Sequence, residues 1–141
     1  MEGEEGRMAE PMLCELAAAL REVLEWKWDG RFGTVVAEFP LSRKASVLGV
    51  LDRYLTSRWD SASIEDAPEI VKKIQEHLGG LMARQLLLLS DPDAKLLVYC
   101  AWWPWGNGQT ISIRVGLFGE TSGDEGQAPV ERTLRAAFDV S

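Results

Sequence analysis

Few side chains in this sequence could carry out acid–base or nucleophilic chemistry, and they do not cluster. The single histidine, His77, falls near the C-terminal end of a predicted helix, where the helix dipole favours a cationic ring. A catalytic histidine needs an orienting carboxylate and a nucleophile, and no motif around His77 supplies them. We therefore expect the protein not to be an enzyme.

Metal and cofactor sites have no better support. One histidine and two widely separated cysteines, Cys14 and Cys100, cannot form a standard zinc site; both cysteines stand among apolar residues, and we expect them to be buried as small hydrophobes. Asp91 and Asp93 could offer carboxylates to a hard cation, but a turn explains them equally well. The glycines around Asn107 lack the lysine of a phosphate-binding loop. The sequence predicts no metal and no cofactor.

The most distinctive segment is the aromatic run from Trp102 to Gly108 (WWPWGNG), which holds three of the six tryptophans. It joins two segments of strand-like composition, residues 95–101 and 109–118, and therefore predicts a β-hairpin. A tight turn at residues 107–108 would place Trp102 opposite Ile113, on an apolar face that we assign to the core. Pro104 lacks the N–H that such a ladder needs, which favours a wider loop or a bulge.

The opposite face of this hairpin is the candidate binding surface. Arg114 is expected to stack on Trp103 there. Either a helix covers this face and its tryptophans are simply buried, or the face is partly open and available to a partner. In the open case its residue types are those enriched at interface hot spots. The candidate binding residues are Tyr99, Trp103, Trp105, Asn107, Arg114 and Phe118.

Two classes of function fit this surface. In the first, the domain binds protein, either as a homodimer or as an adaptor or chaperone for another chain. In the second, it binds a small ligand such as a sugar or a proline-rich peptide, with Trp103 and Trp105 as the stacking platform. We favour the first class because a contiguous apolar sheet face is larger than a small ligand needs.

Charge and hydropathy exclude other classes of partner. The net charge is −7, and residues 1–10 and 119–128 each contribute −3, so the acidity lies in two segments that we expect to be flexible. No basic patch is present, which argues against nucleic acid. The acidic N-terminus does not resemble a signal peptide, and no apolar run approaches the ~20 residues that span a bilayer. We expect a cytoplasmic protein that does not bind membranes.

The chain of 141 residues is expected to form a single α+β domain. Apolar spacing predicts a helix over residues 11–26, and the composition of residues 32–39 predicts a strand. A second helix is expected to be capped by Ser42. One face of this helix carries Ala45, Leu48, Leu51 and Leu55, and Trp59 is the furthest residue that could extend it. A third helix begins with an apparent capping box, Asp66 with Glu69, and ends at Gly79-Gly80.

The remaining elements form the C-terminal half. Residues 81–89 fit either a buried helix or a strand, and we favour a strand because a turn leads directly from them into the hairpin. A final helix is expected to begin at Pro129. The prediction is thus an antiparallel sheet of about four strands, including a C-terminal three-stranded meander, with about four helices. In architecture and charge alone this is similar to small acidic secretion chaperones, which act as dimers.

Overall fold

A computed structural model describes residues 13–90, 96–119 and 127–140 of the chain. These residues form a six-stranded antiparallel sheet of order β1-β2-β6-β5-β4-β3 that is packed with helices. The helices are α1 (residues 13–21), α2 (Lys44–Tyr54), α3 (Glu69–His77) and α4 (Gln127–Phe138). The strands are β1 (Lys27–Asp29), β2 (Thr34–Pro40), β3 (Ser57–Asp60), β4 (Leu86–Leu89), β5 (Leu96–Pro104) and β6 (Thr110–Gly119).

The α+β class is confirmed, but the sheet is larger than the expected four strands. The two additional strands, β1 and β3, are its edges and have only three and four residues. Residues 24–29 were assigned to the end of the first helix and a turn, whereas the helix stops at residue 21 and β1 pairs with β2. Trp59 was placed on the second helix, whereas it lies in β3 opposite Leu87. Pairing with a neighbouring strand, which no local pattern records, decides both segments.

Both expected side-chain caps are absent. A 3-10 turn over Leu41–Arg43 precedes α2, and the Ser42 side chain makes no capping hydrogen bond. The first turn of α3 likewise begins after Pro68 without a side-chain cap, so the capping box at Asp66 was wrong. The glycine stop was right: Gly79 and Gly80 both have positive φ, at 90° and 94°. The buried face of α2 consists of Val47 and Leu51, while Ala45 is exposed.

The C-terminal meander β4-β5-β6 is confirmed, and Trp102 pairs with Ile113, the partner expected for a turn centred on residues 107–108, although the loop itself is wider than that turn. The loop between β5 and β6 is the wider one that Pro104 favoured. The Trp105 N–H donates to the Thr110 carbonyl at 2.8 Å, which makes that pair hydrogen-bonded and the next pair, Pro104 with Ile111, non-hydrogen-bonded. The position that lacks an N–H therefore faces the β4 side of β5, where β4 does not extend because its first residue, Leu86, pairs with Trp102.

The two faces of the sheet carry two separate clusters of buried residues. The inner face, with Val98, Cys100 and Trp102, packs against α1, α2 and α4. The outer face, with Leu97, Tyr99 and Ala101, packs against α3. Trp102 is 2% exposed and touches Phe39 at a ring distance of 5.6 Å, so its assignment to the core is confirmed. The two helical layers leave parts of the outer face uncovered, and these parts hold the candidate site.

Several expectations lie outside the described residues. They are the flexibility of residues 1–10, most of the acidic loop at 119–128, and the turn that contains Asp91 and Asp93. Gly119 belongs to β6, and α4 begins at Gln127, two residues before the expected start at Pro129. Within the described ranges, no helix has the length and apolar character needed to cross a bilayer.

Candidate functional site

An aromatic and arginine cluster occupies the outer face beside α3. The Arg114 guanidinium lies 4.4 Å from the centre of the Trp103 ring and 5.3 Å from that of Phe32. Phe32 meets Trp103 edge to face at 5.5 Å. The expected stacking of Arg114 on Trp103 is thus confirmed. Phe32, from the turn between β1 and β2, also lies against the guanidinium and completes the cluster.

Asp29 fixes the position of Arg114. One carboxylate oxygen accepts from Arg114 Nε at 2.7 Å, and the other accepts from the Arg31 backbone N–H at 3.0 Å. The side chains of Arg114 and Asp29 are only 20% and 14% exposed, so water screens this pair weakly. The pair therefore holds the short edge strand β1 and its turn against the centre of the sheet.

Two further candidate residues are packed beneath or beside α3. Tyr99 is 1% exposed, so it cannot contact a partner directly. Burial raises the pKa of its hydroxyl and keeps it neutral at physiological pH. Phe118 is half-buried, and its ring lies 6.4 Å from that of His77, whose Nε2 is 3.0 Å from the Phe32 carbonyl oxygen. These contacts indicate structural roles for Tyr99, Phe118 and His77.

The tip of the β5–β6 hairpin places the last two candidates in solvent. The Asn107 side chain closes the loop, because its oxygen accepts from the backbone N–H groups of Gln109 at 2.8 Å and Thr110 at 3.1 Å. Trp105 is 42% exposed. Of the six candidates, Trp105 is therefore the large side chain that remains open to a partner.

Three large exposed hydrophobic side chains occur among the described residues, and all three belong to one end of the sheet: Leu41, Met82 and Trp105. Leu41 follows β2, and its N–H donates to the Gln109 carbonyl in the hairpin loop. Met82 begins the turn that leads into β4, whose first residue pairs with Trp102. We call this end, where β2 and β3 end, β4 begins and the β5–β6 hairpin turns, the hairpin end.

The described residues offer little reactive chemistry. They contain no group of three His, Cys, Asp or Glu side chains that could hold a metal ion. Cys100 is fully buried on the inner face, and burial raises the pKa of its thiol. The expected burial is wrong for Cys14, which is exposed on α1. The hairpin end, by contrast, exposes the three large apolar side chains of Leu41, Met82 and Trp105.

Comparison with known proteins adds no relationship: no family model matches the chain, and no significant match is found among curated proteins or solved structures.

Sequence reasoning missed two residues of the hairpin end, Leu41 and Met82. Each is a large apolar residue that a pattern reading assigns to the interior by default. The one indication in the sequence that these side chains are exposed is that neither belongs to the apolar face of a predicted helix or strand. Leu41 stands between Pro40 and Ser42, and Met82 follows the helix stop at Gly79-Gly80. Their convergence with Trp105 depends on the strand order, which brings the start of β4 and the end of β2 to the same end of the sheet.

Proposed function

We propose that the protein is a non-enzymatic protein-binding module and that its contact surface is the hairpin end. The observation that carries this proposal is the convergence of Leu41, Met82 and Trp105, which are 47%, 72% and 42% exposed. Full burial of a large apolar side chain contributes about 1.5–3 kcal/mol, and covering the exposed part of these three contributes a corresponding fraction each. A partner that covered all three would gain enough to offset much of the free energy that association costs.

The edges of the sheet are poorly suited to pairing with a strand of a partner, which favours contact through the hairpin end instead. The edge strands β1 and β3 are short, and the unpaired part of β2 beyond β1 contains Glu38 and Pro40. Charged residues and proline on an edge disfavour pairing with another strand. The Asp60 N–H at the end of β3 donates to the Ser63 hydroxyl at 2.9 Å, so that donor is already used. A partner would therefore meet side chains at the hairpin end.

The small-ligand alternative has less support. A stacking platform needs an aromatic face that is free to receive a ring. Arg114 lies over the Trp103 ring, and the edge contact with Phe32 adds a second neighbour. Trp105 alone would then have to serve as the platform, and a single half-exposed indole gives a sugar or a peptide ring little contact area.

A photo-crosslinking experiment tests the proposal. A benzophenone amino acid in place of Trp105 reports which molecules contact the hairpin end in the cell. The matched control carries the same group in place of Glu76, which is exposed on α3 near the opposite end of the sheet. We expect discrete protein adducts from position 105 and none of the same mass from position 76, with mass spectrometry identifying the partner.

Equal adduct patterns at both positions would show non-specific contact and would overturn the proposal. Absence of protein adducts, combined with a shift of Trp105 emission on adding oligosaccharides or a proline-rich peptide to the unmodified protein, would overturn it in favour of the small-ligand class. Trp105→Phe is the control for that emission assay, because five other tryptophans also emit.

A further inference from the structure

The hairpin end has a regular order across the sheet. Five strands reach it, in the order β2, β6, β5, β4 and β3, so β5 is the central one. Trp105 directly follows β5 and therefore lies near the middle of this end. Leu41 lies on the β2 side and Met82 on the β4 side. At the usual spacing of about 4.8 Å between strands, β2 and β3 each lie roughly 10 Å from the centre.

Charges of opposite sign flank this apolar centre. Beyond β2 the chain carries Arg43 and Lys44. Beyond β3 it carries Glu65 and Asp66, and Arg84 near β4 is a cation close to that side. Lys44, Glu65 and Asp66 are exposed, and none of them forms an ion pair with another described residue. With the exposed Glu38 of β2 counted against Arg43 and Lys44, the β2 flank is cationic in balance, and the β3 flank is acidic in balance.

Resting on the proposed function, we infer that the partner at the hairpin end is a second copy of this chain, related to the first by a two-fold axis near Trp105. A two-fold interface brings each patch to the complementary patch of the other copy. The axis at the central strand places the cationic β2 flank of one protomer opposite the acidic β3 flank of its partner, twice. The same operation brings Trp105 near its own equivalent and Leu41 toward the Met82 side.

The energetic roles divide between the centre and the flanks. The three apolar side chains lose water on association and supply most of the free energy. The flanking charges remain near solvent at the rim, where they select the orientation and penalise a like-charged arrangement. A two-fold axis along the row of strands would instead place Lys44 opposite Lys44 and Glu65 opposite Glu65, so the charge pattern favours a two-fold axis perpendicular to the sheet.

Charge reversal tests this inference. Lys44→Glu and Glu65→Lys should each weaken self-association about tenfold, because each single change creates two repulsive contacts in a two-fold dimer. An equimolar mixture of the two variants should form a heterodimer, since both of its contacts are again attractive, and the double variant should recover the wild-type affinity. Sedimentation equilibrium in low salt measures the masses, and a fluorescent label on one variant detects the heterodimer.

Lys73→Glu is the matched control, because it changes the net charge as Lys44→Glu does from an exposed position on α3; its self-association should match that of the wild type. A wild-type protein that stays monomeric at every concentration would overturn the inference, and adducts between position 105 and a different protein would then leave the proposed function intact. A dimer that ignores both reversals would also overturn the two-fold arrangement.

Discussion

Replacing Gly116 by alanine is expected to destabilise the protein by about 3 kcal/mol, because the added methyl group has no space between its buried neighbours. Gly116 lies opposite Tyr99 on neighbouring strands, and the Tyr99 ring crosses directly over it. A Cβ at position 116 would come within 2.5 Å of the ring and hydroxyl atoms and within 2.9 Å of Thr34 Cγ2. These neighbours belong to residues buried beneath α3 or within β2, so they cannot move aside.

The matched control is Gly49→Ala. Gly49 lies in α2 with no atom within 4 Å of a new Cβ, so alanine there should raise the free energy of unfolding by about 0.5–1 kcal/mol through its better helix propensity. Urea unfolding followed by tryptophan emission measures both variants. Equal and small changes for the two glycines would contradict the packing of Tyr99 over the sheet.

Arg114→Leu is expected to cost about 2–3 kcal/mol, because it leaves the mostly buried carboxylate of Asp29 without its ion-pair partner and removes the cation from the Trp103 face. Adding Asp29→Asn to this variant should recover part of the lost free energy of unfolding, because the unpaired buried carboxylate is then replaced by a neutral amide. The recovery separates the penalty of an unpaired charge from the loss of packing.

The control for this experiment is Arg58→Leu. Arg58 also pairs with a carboxylate, that of Asp52, but the two side chains are 43% and 49% exposed. Water screens such a pair, so its loss should cost less than about 1 kcal/mol. Similar losses for Arg114→Leu and Arg58→Leu in urea unfolding would show that the cluster around Trp103 is not protected from solvent.

The secondary structure was predictable from the sequence where the alternation of apolar and polar residues extends over many positions, and not where an element is short. Alternation over ten residues of β6 was sufficient to predict the inward position of Trp102, whereas its pairing with Ile113 was predicted from a turn centred on residues 107–108. The same alternation placed Arg114 beside Trp103. The strands β1 and β3 were not predictable, because three or four residues give no periodic signal and their conformation depends on a partner strand.

The candidate site was only partly predictable for a related reason. The alternation of side chains along the strands identified the outer face, but it does not show which part of that face a helix will cover. In the structure, α3 covers Tyr99 and leaves Trp105 exposed. Asp29 was not foreseen as the partner of Arg114, since the two residues are 85 positions apart in sequence. Leu41 and Met82 join the surface through strand order alone, which became visible only with the whole sheet.

The central claim, that Leu41, Met82 and Trp105 act as one protein-binding surface, is tested most directly by combining two changes. The benzophenone group stays at position 105 while Leu41→Ser and Met82→Ser remove the flanking apolar side chains. Because both are exposed, the free energy of unfolding should change by less than about 0.5 kcal/mol for each substitution. We predict that the yield of the protein adduct at position 105 falls at least tenfold; an unchanged yield in a stably folded protein would contradict the claim.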